Sequence, residues 1–240
     1  AVTQVGSSWL SREGVAALVT YLPVAALGLG WVFGEYQQGQ MIVGALLSIV
    51  GALVTVWCTG RIYSSLPTIR AWHLGLVAPI YLMLAFVTGS VLLDFFLIVF
   101  GYPFWWAAAI TALLLALGCD LKLRYWSKID LADRTYTAEA ATGLGRLGTV
   151  RPLDPPHTQP NYVMREMGYQ VARRHARKLR QIAILLLFVL PLAGMAGLLA
   201  LELPKALDIA IAAISVCSMV AGVLTERWLF FAEAEHVDRK

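Results

Sequence analysis

An all-α fold, a polytopic bundle of membrane-spanning helices, follows from two features of this chain. Its 240 residues are 59% hydrophobic and 14% charged, whereas a soluble domain carries roughly 25% charged residues. The apolar residues also gather into runs near the length of about 20 residues that a helix needs to cross a bilayer core. No strand-like alternation competes with these runs, and backbone groups in lipid must be satisfied within their own segment. The mean hydropathy of +0.69 agrees.

Six runs qualify: 13–33, 41–63, 74–100, 104–120, 181–200 and 206–232. The first opens from "SWLSREG", with Glu13 in the first turn, where the helix dipole favours an acid. The second carries Trp57 and ends at Arg61; Tyr63, Ser64, Ser65, Pro67, Arg70, Trp72 and His73 follow. The third holds one carboxylate, Asp94, and stops at the "GYPFWW" turn from which the short fourth run departs. The fifth is fed by the basic helix "YVMREMGYQVARRHARKLRQ", and the sixth closes on "TERWLFF". Between the fourth and fifth runs lies residues 121–180. It reads as a charged helical exit (122–140), a "TGLGRLG" turn, the extended "RPLDPPHTQP" and the basic helix. That helix suits anionic lipid at the membrane surface. The proline segment cannot build a core of its own.

Charge sets the orientation. If residues 1–12 lie on one side, that side also receives 64–73, 121–180 and 233–240. Counting Arg61 and Arg227 at helix ends, all 19 Lys and Arg residues except Lys205 then fall on it. The positive-inside rule makes this side cytoplasmic, in a bacterial inner membrane. Eight tryptophans and nine tyrosines fit aromatic belts at the two interfaces. No signal peptide and no initiator Met are visible, so the chain is expected to begin part-way through a longer protein.

Several chemistries are disfavoured. A buried b-type haem takes axial ligands inside the bundle, most often histidines. Here His73, His157, His175 and His236 all fall at or beyond helix ends. Cys58, Cys119 and Cys217 stand singly in apolar runs, with neither cluster nor disulfide spacing. No metal-ligand spacing occurs, and the glycines of 143–148 follow no strand and precede no GK[ST], so they are not a phosphate loop. This chain is therefore expected to hold neither haem nor iron–sulfur cluster.

Ionisable residues inside membrane runs are expensive and are functional candidates for that reason. Glu13, Arg61, Glu226 and Arg227 gather at the cytoplasmic level, with Trp9, Trp57, Tyr63, Trp72 and Trp228 near the same level. Flat aromatic walls, proton-exchanging carboxylates and arginines able to hold an oxygen would suit a quinone headgroup. The same residues also read as interfacial anchors whose charged heads reach water. Asp94 reads equally as a paired structural acid and as a proton relay.

"VGSSWLSREG" at 5–14 and "VWCTGRIYSSLPTIRAWH" at 56–73, with the closing "ERWLFF", resemble the membrane anchor subunit of the dimethyl sulfoxide reductase family. The resemblance implies eight helices with no haem. Six spans are visible of the expected eight, so the chain is a single transmembrane domain (1–240), N-terminally incomplete. A family histidine tied to quinol binding would lie in the absent helices. Ser11, Glu13, Arg61, Tyr63 and Ser65 match the family pattern, and Trp57, Trp72, Glu226 and Arg227 complete the expected pocket or its rim. The implied partners are a molybdopterin catalytic subunit and a four-cluster iron–sulfur subunit, and the implied substrate is ubiquinone or menaquinone. With the motif-bearing ends facing the cytoplasm, the chain looks more like the anchor of a quinone-linked sulfite dehydrogenase, with the loop 121–180 as a docking arm. The molybdenum chemistry would belong to the partner. The alternatives are an anchor of another molybdopterin enzyme, including a dimethyl sulfoxide reductase, a tether without quinone chemistry, and a proton-coupled transporter relaying through Asp94.

Overall fold

A computed structural model of the protein describes residues 2–34, 38–131, 143–150 and 169–234. The proline segment, residues 132–140 of the charged exit, 162–168 of the basic helix, Glu35, His157 and the tail from 235 lie outside the described residues. Among the described residues there is no strand, and six helices are long and apolar enough to cross a membrane. They are α1 (Trp9–Phe33), α2 (Gln38–Ser64), α3 (Val77–Phe100), α4 (Trp105–Leu131), α6 (Ala176–Ala200) and α7 (Lys205–Ala232). A short helix, α5 (Gln170–Arg174), precedes α6. All six expected spans are present.

The ends follow local chemistry. Ser8 caps α1, its hydroxyl accepting from the Ser11 amide at 3.5 Å, and Gly34 ends the helix in the left-handed region at φ 66°. Gly101, at φ 83°, turns the chain out of α3, and Pro103 precedes α4. Pro204 stands immediately before α7, where a missing N–H is harmless. The apolar run of the fourth span stops at residue 120, and the expected charged helical exit continues α4 as far as Leu131, the last described residue of that segment. The basic helix breaks at His175, where φ −110° and ψ 17° leave the helical region.

The contacts gather the chain into two compact units, Ala1–Pro67 with Trp72–Ser90, and Thr68–Ala71 with Val91–Lys240. In the first, α1 and α2 form a closely packed antiparallel hairpin. Gly51 lies against Thr20, and a side chain at Gly60 would come within 2.6 Å of the Ala78 Cα. Small residues at such crossings let helix backbones approach closely in a bilayer.

In the second unit α4, α6 and α7 pack around Leu115, Leu187, Phe188, Met195 and Leu229. Residues 185–189 of α6 form a π turn. Pro191 accounts for it: its ring conflicts with the carbonyl four residues back, that of Leu187. The Ser218 hydroxyl of α7 donates to the nearby Leu186 carbonyl at 2.7 Å. Gly222 sits directly against the Leu187 backbone, where any side chain would collide. Segment 68–71 is held on α4 by Tyr125, which donates to the Ala71 carbonyl at 3.0 Å, and by Arg70, which donates to the Ile129 carbonyl at 3.2 Å.

Candidate functional site

The first unit collects most of the sequence-selected residues at the start of α1 and the end of α2. Each is there because the apolar run stops within a turn or two. Arg12 turns back and donates to the carbonyls of Val5 (2.8 Å) and Gly6 (2.7 Å), with its guanidinium 4.4 Å from the Trp9 ring centroid. Arg61 approaches the same indole at 5.1 Å. Trp9 is thus shared by two cations, an arrangement worth about 0.5–2 kcal/mol for each depending on desolvation. Glu13 is not in the first turn as the sequence suggests, because α1 begins at Trp9; one turn inside the helix, it accepts a 2.7 Å hydrogen bond from the Thr59 hydroxyl of α2. Thr59 also donates toward the Thr55 carbonyl at 3.0 Å.

An aromatic group also gathers at the α2 end. Tyr63 meets Trp72 edge-on, with centroids 5.1 Å apart, and stacks on Tyr81 at 5.7 Å and 17°. The His73 ring lies 2.9 Å from the Ser64 carbonyl through Nδ1, which ties the loop back to the helix. Ser11 is buried. Ser65 is exposed, its hydroxyl donating to the Ile62 carbonyl at 2.8 Å. Trp57 is 40% exposed on the outer face of α2.

Glu226 and Arg227 belong to the second unit. There Glu226, with no exposed surface, pairs with Lys122 of α4 and with Arg227 beside it. Its Oε1 accepts from Lys122 and, at 2.7 Å, from Arg227 Nη2; its Oε2 accepts from Arg227 Nε. The Lys122 ammonium lies over Tyr125 (4.3 Å) and Trp126 (4.7 Å). Arg180 approaches Trp126 at 5.4 Å and donates to Asp130 (2.8 Å) and Glu233 (2.7 Å). A buried carboxylate satisfied by two cations is a stable arrangement only because every partner is present.

Asp94 is almost wholly buried and lines a cavity of about 360 Å³ with Phe104, Trp105, Glu202 and Asp208. Thr111 hydrogen-bonds to its carboxyl group, and its Oδ2 has no hydrogen-bond partner among the described residues.

Sequence reasoning singled out none of Thr59, Tyr81 and Lys122. Signals for two of them exist. Thr59 is a hydroxyl two residues before a membrane-edge arginine, and Lys122 stands three and four residues before an aromatic pair.

The sequence profile of the DMSO reductase anchor subunit (DmsC) matches residues 1–232. The chain belongs to the DMSO reductase anchor subunit family. As an anchor subunit with six apolar helices it is a multi-pass membrane protein, and its family implies association with catalytic and iron–sulfur subunits. It is also similar to a subunit of the sulfite dehydrogenase of Allochromatium vinosum, at 27% identity over 248 aligned positions. The alignment covers 96% of this anchor subunit and 72% of the relative. No solved structure matches it.

Proposed function

We propose that this anchor subunit binds the headgroup of a membrane quinone beside the start of α1 and the end of α2, and exchanges electrons between that quinone and an iron–sulfur partner. The observation that carries the reading is the Glu13–Thr59 hydrogen bond together with Arg61 and Trp9 in one compact unit. A quinone headgroup is flat, carries two carbonyl oxygens and takes up two protons with two electrons. The indole of Trp9 and the Tyr63–Trp72–Tyr81 group offer flat walls. Arg61 forms no ion pair among the described residues and offers donors to a carbonyl oxygen. Glu13, oriented by Thr59, is the group that would pass protons to or from the headgroup. Electrons would come from or go to the partner's clusters. Ser11, Ser65 and Trp57 form the rim in this reading. Glu226 and Arg227 lie in the other unit, and their contribution there is the buried charge cluster with Lys122.

Sidedness and substrate belong to the same proposal. The concentration of Lys and Arg at the α1-start side supports a cytoplasmic location for that side and for the C-terminus in a bacterial inner membrane, with the partner subunits docking there. The similarity to a sulfite dehydrogenase subunit supports sulfite oxidation, with electrons passing into ubiquinone or menaquinone.

The test uses the assembled complex. Glu13→Gln is expected to lower quinone turnover by about 10²-fold, the lower end of what a general acid–base group contributes, with quinone KM little changed. Arg61→Gln is expected chiefly to raise quinone KM. In both variants the partner subunits should co-purify in wild-type proportion. Unchanged quinone kinetics in both would remove these residues from the site and leave a tether.

A further inference from the structure

We infer that the junction of α5 and α6 with the end of α4 is a binding site for one anionic phospholipid. The phosphate would rest among the cations of the junction and an acyl chain along the groove between the two long helices.

Two adjoining hollows carry this. The helix break at His175 opens a concavity of about 640 Å³ lined by residues 173–178, Arg180 and Asp130. Five cations and one carboxylate line it, a surplus of four positive charges. Two of those cations are already committed: Arg173 donates to the Ala232 and Ala234 carbonyls at 2.7 and 3.1 Å, and Arg180 bridges Asp130 and Glu233. Arg174, Arg177 and Lys178 are exposed and form no ion pair among the described residues. Three uncommitted cations in one concavity match a phosphodiester.

The second hollow, of about 730 Å³, shares Asp130 and Arg180 with the first and is mainly apolar. Leu123 and Trp126 of α4 face Ile184, Leu185 and Val189 of α6 across it. From Arg180 to Val189 the helix descends about 13 Å, at 1.5 Å per residue, long enough for much of an acyl chain. The π turn at 185–189 lies along this same stretch of α6. A soluble anion would use only the first hollow. A neutral lipid would leave the three cations unmatched. An anionic phospholipid alone uses both, and the basic end lies where juxtamembrane cations meet headgroups. The quinone reading is independent of this site.

The test places the full chain in nanodiscs of phosphatidylcholine doped with phosphatidylglycerol brominated on its acyl chains. The readout is the Trp126 fluorescence, taken as wild type minus Trp126→Phe. Brominated phosphatidylglycerol should quench that fluorescence at a lower mole fraction than brominated phosphatidylcholine. The triple variant Arg174→Gln, Arg177→Gln, Lys178→Gln should lose the preference, by about fivefold for each cation removed. Millimolar inorganic phosphate should leave the quenching unchanged. Equal quenching by the two lipids, or a triple variant with wild-type preference, would overturn the proposal. Relief by phosphate would make this a soluble-anion site, and relief by short-chain quinone a quinone groove. Loss of quenching in the assembled complex would assign the surface to a partner subunit. Each of these three results also refutes it.

Discussion

Among single residues, Lys122 is the one whose setting the sequence conceals most. It sits at the charged end of α4, where a lysine normally reaches water along its own stem. Instead it is buried on Glu226, over two aromatic rings. Removing one partner of a buried pair leaves an uncompensated charge, at a cost of about 3–5 kcal/mol, whereas replacing both with apolar residues is often near neutral. Lys122→Met should therefore lower the thermal midpoint of the purified protein in detergent. The double variant Lys122→Met, Glu226→Met should recover more than half of that loss. A single variant as stable as wild type would mean that Arg227 alone suffices for Glu226. Arg61 presents the opposite case: its position at the membrane edge is plain in the sequence, and the structure adds the neighbour, Trp9.

At the scale of elements, the helices are legible because apolar length and terminating residues are local properties. The crossings are less so. Gly222 and Gly197 look alike in sequence, each inside an apolar run. A side chain at 222 would strike the Leu187 backbone, while one at 197 meets nothing within 4 Å. Gly222→Ala is expected to destabilise by about 1–3 kcal/mol or more, since backbone and not a flexible tip must yield. Gly197→Ala should be neutral or slightly stabilising, because alanine is the better helix former. Comparing the two melting curves checks this directly, and equal effects would refute the close contact. The π turn belongs here too. Pro191 announces a disturbance in α6, but only the packing shows Ser218 bonding the carbonyl beside it.

For the whole molecule, the strongest sequence expectation is orientation: with six spans counted along the chain, Lys205 alone of 19 Lys and Arg residues is expected opposite the chain start. A reporter active only in the cytoplasm, fused after Lys240, should give signal, and one active only in the periplasm should not. The reverse result would invert the proposed placement of the partner subunits and weaken the sulfite reading with it. α1 and α2 also bear on assembly. Only 6% of their apolar windows is buried, against 28% in the other four spans, so these helices turn most of their surface to lipid or to other helices.

What the sequence determined by itself is the class of protein, the number and rough bounds of the visible spans, and the family. These rest on run length, charge counts and short motifs, all readable along one dimension. Tertiary structure decided the pairings: Thr59 to Glu13, Arg61 to Trp9, Lys122 to Glu226 across 104 positions. It also divided the selected residues, with Ser11 through Trp72 in one compact unit and Glu226 and Arg227 in the other. The physical reason is that a membrane helix advertises its hydrophobicity but not its rotation. Which face meets which neighbour depends on a glycine here and a hydroxyl there, and those contacts form only when the helices pack.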